Sequence, residues 1–274
     1  MPGWSGYMQM VQEETCPGKS SFVFLPIIDL NPSDLSCIYS TLKFICKEAH
    51  RYQKPPVVTF DQPLYWKALC IVTNEKTESD LKQIFLRLGG FHTDMSFLGS
   101  IGRLMAGSGL HELLEIVYAS NAVNIMLSDK AVSRAVRGLM MVENALHILL
   151  MKESFGVSLP CAHESDITKA DSSERDKIVE KACELYDRFV AGEETTESVK
   201  QSSILSEINT KLVATKEELS KSRTSSLWLN FCPMTNILSK FLIAERTGNW
   251  DLHLNSIQKM LPFFVAAGHN LYAK

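Results

Sequence analysis

Asp29, Asp61 and Asp94 each stand at or just past the end of a run of strand-forming residues, in SFVFLPIID, VVTFD and IFLRLGGFHTD. In a parallel sheet such strand ends gather along one rim, where carboxylates converge. Carboxylates held close together repel unless a hard divalent cation neutralises them, and Mg²⁺ or Mn²⁺ suits an all-oxygen set. A pair of such ions activates a water or a 3′-hydroxyl and stabilises the leaving oxygen of a phosphodiester. The metal set expected here is Asp61, Asp94 and Glu245. The catalytic set is Asp61, Glu245 and His92, which lies beside paired glycines that let backbone approach a ligand.

Each residue has a plainer reading. Asp29 and Asp61 sit where strand-to-helix turns favour Asp as a helix cap. A lone histidine such as His92 is more often structural than a ligand. Glu245 closes a long apolar helix, where an acid opposes the helix dipole and needs a partner; Arg246 or a metal would serve. Lys130, Arg134 and Arg137 recur at spacings of four and three, a basic stripe able to track a nucleic-acid backbone or simply a wet helix face. Trp66, Phe91 and Trp250 read as core aromatics.

Other motifs carry less. Gly18-Lys19-Ser20 lacks the upstream glycine of a phosphate loop, since position 13 is Glu. The Gly-x4-Gly of GRLMAGSG lacks the lysine. No histidine pair has zinc spacing. None of the seven cysteines forms a CxxC pair, and most lie in apolar runs. Reduced buried thiols fit an intracellular setting, nucleus or cytoplasm. A charge of -3 and pI near 6.2 exclude a generally basic coat, so contact with DNA needs a local patch. No start resembles a signal peptide and no apolar run spans a bilayer, so no membrane partner is expected.

The elements that position these residues follow from periodicity. Strand–acid–helix occurs twice and strand–Gly–Gly–His–x–Asp–helix once in the first hundred residues, which implies a mainly parallel sheet. After Gly107 strands are scarce. SDKAVSRAVRGLMMVENALHILLM begins a helix at Ser128 or Asp129, and CAHESDITKADSSERD reads as a linker. Ile178, Ala182, Leu185 and Phe189 form a narrow apolar seam suited to self-association through residues 178–189. Two terminal helices break at Thr247-Gly248-Asn249. The expected organisation is a polar segment (1–19), an α/β core with helices (20–160), a charged helical insertion or arm (161–225), and C-terminal helices on the core (226–274).

FDQPLYWKA, RLGGFHTDMSFLGSIGRLMAGSGL, KAVSRAVRGLM and AERTGNWDLHL…MLPFFVAAGHNLYAK together resemble an uncharacterised, high-copy, mobile-element-associated family of animal proteins. Relatives continue past GHNLYAK, which implies a fragment. They carry a His where Leu139 stands here, and the position of Asp94 is not consistently acidic, which favours Asp61 and His92. The resemblance implies, by analogy, an RNase H-like transposase or integrase core with Asp61, Asp94 and Glu245 as its acids. One departure is plain: such cores follow the first acid with an antiparallel hairpin, and Asp61 runs straight into a helix. The expected fold is thus α/β, a mainly parallel sheet core with a large helical extension. The expected function is metal-dependent, nuclease-like or transposase-like DNA processing; the rival is a non-enzymatic binding or scaffold protein.

Overall fold

A computed structural model describes residues 22–128, 130–155 and 172–273. The described residues are 73% helical, and their only sheet has two strands. This corrects the RNase H-like α/β expectation. Strand β1 (Val57–Phe60) pairs in parallel with β2 (Phe85–Leu88), Val57 opposite Phe85 and Phe60 opposite Leu88. Residues 22–29, expected as the first strand, belong to no sheet, and their apolar side chains are exposed. Without a third strand there is no rim of three strand ends. Asp29 therefore joins no carboxylate row.

The βαβ unit itself is as the periodicity demands. Helix α1 (Leu35–His50) turns Ile38, Leu42 and Cys46 inward, the face expected from the spacing of its apolar residues. Helix α2 (Gln62–Asn74) crosses over between the strands, and a 3-10 turn at Asp80–Gln83 leads into β2. Their shared small core holds Ile38, Leu42, Cys46, Val58, Ala68, Leu81 and Ile84.

Most of the mass is helical. Helix α3 (Gly90–Leu104) begins directly after β2, followed by α4 (Leu110–Glu115), α5 (Ser120–Leu127) and α6 (Val132–Phe155). Gly107 and Gly109, both at positive φ, make the turn between α3 and α4. After the undescribed stretch come α7 (Ser172–Val190), α8 (Thr196–Lys200), α9 (Ser203–Leu219), α10 (Arg223–Thr247), α11 (Trp250–Ala266) and α12 (Asn270–Ala273). The larger core is built from α3, α4, α5, α6, α10 and α11, with Phe97, Phe231, Phe241 and Phe264 fully buried. Leu139 lies in it. At Gly102 a Cβ would stand 2.4 Å from the Leu127 carbonyl oxygen, so only glycine lets α3 and α5 approach this closely.

Several boundaries differ from the sequence reading. Helix α6 starts at Val132, so Lys130 lies in the preceding turn and only Arg134 and Arg137 share the helix; all three are exposed. Residues 161–171 of the expected linker lie outside the described residues, and 172–176 open α7. Ala182, Leu185 and Phe189 of the expected seam line a small cavity together with Ile204, Leu205 and Ile208 of α9. No described helix is long and apolar enough to cross a membrane.

Candidate functional site

Helix α10 ends at Gly248 in the left-handed conformation, and Asn249 caps α11 by accepting from the Leu252 amide at 2.9 Å. That glycine-asparagine corner folds α11 back along α10, the geometry the TGN break predicts. Glu245 on the last turn of α10 and His253 on the first turn of α11 thereby meet, with His253 Nδ1 2.6 Å from Glu245 Oε1. From the sheet, the Arg87 guanidinium donates to Glu245 Oε1. Glu245 thus has an arginine partner, as its place at a helix end requires, in Arg87 of β2.

Gly90 makes the arrangement possible. A Cβ there would fall 2.3 Å from Glu245 Oε2, so a larger residue at the start of α3 would displace the carboxylate from its present position. His253 is 4% exposed and lies between two aromatic rings: Trp250 stacks on it at 5.1 Å and 14°, and Phe241 tilts over it at 5.1 Å. Burial holds the imidazole below its ordinary pKa, against the opposing pull of Glu245. Asp94, one turn into α3, is 6% exposed, and burial followed by repulsion from Glu245 raises its carboxyl to about 7, with the Arg246 charge opposing.

Among the described residues, the buried side-chain nitrogens and oxygens without a hydrogen-bond partner are Arg87 Nε, Asp94 Oδ1 and His253 Nδ1. The last has its close contact to Glu245, in a direction outside hydrogen-bonding geometry. All three belong to this one node. Unpaired buried polar atoms are costly, and their concentration marks a site rather than scattered imperfection. A pocket of about 360 Å³ opens beside it, lined by Phe85, Arg87, Glu245, Asn249, Trp250 and His253 among others.

The sequence-expected set does not assemble as drawn. Asp61 caps α2, its Oδ1 accepting from the Leu64 amide at 3.2 Å. His92 is exposed on α3, with the Phe91 ring edge-on at 5.8 Å. Among the described residues no group of three or more His, Cys, Asp or Glu is placed to hold a metal ion. Trp250, expected as a core aromatic, is 53% exposed at the pocket mouth. Arg87 and His253 were not singled out as site residues. Arg87 did carry a signal, as the one charge inside the four-residue strand FLRL. His253 follows Trp250 by three residues on a helix, the spacing of facing neighbours.

Replacing the Asp61 cap makes a direct check. Asp61→Ala is expected to cost about 1 kcal/mol in chemical denaturation, the ordinary value of a lost N-cap. A cost near zero would mean that the Leu64 amide finds another acceptor.

A family model described as a domain of unknown function (DUF8702) matches residues 3–274. The chain belongs to this family. No curated protein and no solved structure matches it. In this DUF8702 chain the buried polar groups without hydrogen-bond partners, among the described residues, lie in the node on α3, α10, α11 and β2. A larger cleft of about 650 Å³ between α6 and α10 is lined mainly by leucines and Trp228 and lacks such a convergence of buried polar groups.

Proposed function

We propose that this DUF8702 chain is a binding module and that the pocket beside β2 is its ligand site. The observation that carries the reading is the convergence of the Arg87–Glu245 pair and His253 on one pocket with an exposed indole at its mouth, with Arg87 Nε and Asp94 Oδ1 left without hydrogen-bond partners at the same node. Ligand sites combine apolar walls with a few convergent polar groups, and this pocket has Val57, Phe85 and Trp250 against Arg87, Asn249 and His253. The fitting ligand is a small planar group that stacks on Trp250 and turns a carboxylate or carbonyl edge toward Arg87.

Metal-dependent phosphodiester chemistry asks more of the same residues. Asp61 would have to leave the Leu64 amide, and Glu245 would have to leave both Arg87 and His253. Their present engagements favour the binding reading.

A thermal-shift titration separates the two. Small aromatic carboxylates are expected to raise the melting temperature and quench tryptophan fluorescence, and Trp250→Ala is expected to abolish both. Stabilisation by Mg²⁺ or Mn²⁺ that disappears in Asp61→Asn and in Glu245→Gln would reverse the conclusion in favour of the metal.

A further inference from the structure

Residues 22–30, FVFLPIIDL, form no helix or strand, and among the described residues no backbone hydrogen bond involves them. Seven large apolar side chains crowd this short stretch and all are exposed, from Ile28 at 45% to Phe24 at 97%. Sequences rich in Val, Ile and Phe fit a pleated, half-buried surface, and leaving them in water forfeits the hydrophobic gain of burial. The segment has the composition of a strand without a sheet.

The same chain carries a sheet short of strands. Phe85 N–H donates to the Pro56 carbonyl and Gly89 N–H to the Phe60 carbonyl, so in this parallel ladder Phe85, Arg87 and Gly89 face β1. Alternation along β1 then turns Val58 and Phe60 toward β2 and points the backbone of Val57 and Thr59 outward. No other described strand lies along that edge, and the side chains of Val57 and Thr59 are exposed. An unpaired edge beside exposed apolar side chains is a template for an added strand.

We propose that Phe22–Leu30 of one copy adds as an outer strand to the free edge of β1 in a second copy, reciprocally, making a strand-exchanged homodimer. Among the described residues nothing covers the segment. It leaves the body where Lys67 Nζ of α2 holds the Ser33 carbonyl at 2.6 Å. Because each copy carries both the strand and the edge, the contact is self-complementary and closes as a two-fold pair. Pro26 sets the register. It has no N–H, so it must face away from β1, leaving Val23, Leu25, Ile27 and Asp29 to pair. The same proline blunts the new outer edge, which ends the assembly at two copies instead of a fibre.

Sedimentation equilibrium on the full chain tests this. A mass of two chains that falls to one on dilution is expected, and a wild-type chain that stays monomeric at every concentration overturns the proposal. Phe24→Asp/Ile27→Asp alters only exposed side chains and is expected to give a monomer with unchanged helical circular dichroism. Thr59→Pro removes an outward N–H without touching the β1–β2 ladder and is expected to do the same. A dimer that survives both places the interface elsewhere and rejects strand exchange. Where Thr59→Pro does not fold, amide exchange decides. The Val57 and Thr59 amides are expected to be protected in the wild type and exposed in Phe24→Asp/Ile27→Asp; equal exchange in both overturns the proposal, as does protection of residues 22–30 in a monomer.

Discussion

Glu245→Ala is expected to lower the unfolding free energy by about 3 kcal/mol, the low end of the cost of breaking a buried charge pair. The low end applies because the Glu245 and Arg87 side chains keep 22% and 30% of their exposure, so water screens part of the loss. The effect is nonetheless well above a surface ion pair. Truncation strands the Arg87 guanidinium, whose Nε already lacks a partner, and leaves His253 without the oxygen at 2.6 Å. Glu245→Gln keeps the shape and an acceptor for Arg87 and is expected to lose about half as much, as a charge-assisted bond becomes a neutral one. A double variant, Arg87→Met/Glu245→Met, is expected to recover most of the stability, because removing both charges removes the desolvation that their pairing offset. Urea denaturation of the three variants measures all of this. A loss below about 1 kcal/mol in Glu245→Ala would place the pair among exposed bridges that contribute little.

What the sequence disclosed about this node was half of it. A lone acid near the end of a helix had to be neutralised, which is a local argument, and it pointed correctly at Glu245. Its partner Arg87 lies 158 residues away in the chain, and nothing in the spacing of AERTGNW indicates which distant arginine arrives. Arg246 was the near candidate because sequence reasoning sees only neighbours. The glycine that admits the carboxylate, Gly90, was seen as a sign of close backbone approach, and the group that approaches is a side chain of the same chain.

The fold divides along the same line. Helix α2, the α10–α11 break and the pairing-competent runs at β1 and β2 were legible, since caps, glycine corners and apolar spacing are local. The first strand was not. A short apolar run reports that a segment would pair well, and not whether an edge is available to it. Phe22–Asp29 has the composition of a buried strand and stands unpaired and exposed, while its absence from the sheet turns an expected α/β core into a helical protein with one βαβ unit. Asp61 was caught between two local meanings, strand-end ligand and helix cap. The Leu64 amide takes its carboxylate, as the rules of helix starts would have it.

Asp94 gives the node a pH dependence of a sign opposite to that of ordinary paired carboxylates. Its folded pKa is raised to about 7 from an unfolded value near 3.8, chiefly because burial disfavours the charged form and secondarily because Glu245 is close. A carboxyl whose folded pKa lies above the unfolded one favours the native state most when it is protonated in both. Its contribution is therefore full below about pH 4 and is lost as pH rises from about 4 to about 7, after which it is flat. A separation of about three pH units corresponds to roughly 4 kcal/mol across that window. Asp94→Asn keeps the shape and cannot ionise, so it is expected to be the more stable protein at pH 8, by up to about 4 kcal/mol less whatever its new amide donors leave unpaired. At pH 4 the two are expected to be equal within about 1 kcal/mol, since Asp94 is then neutral in the folded chain. Denaturation of both proteins at several pH values measures the difference curve. A curve that is flat between pH 4 and pH 8, or that favours the aspartate at high pH, would mean that Asp94 carries its charge in the folded protein. The oxygen Oδ1, which has no hydrogen-bond partner, would then have to be facing a cation.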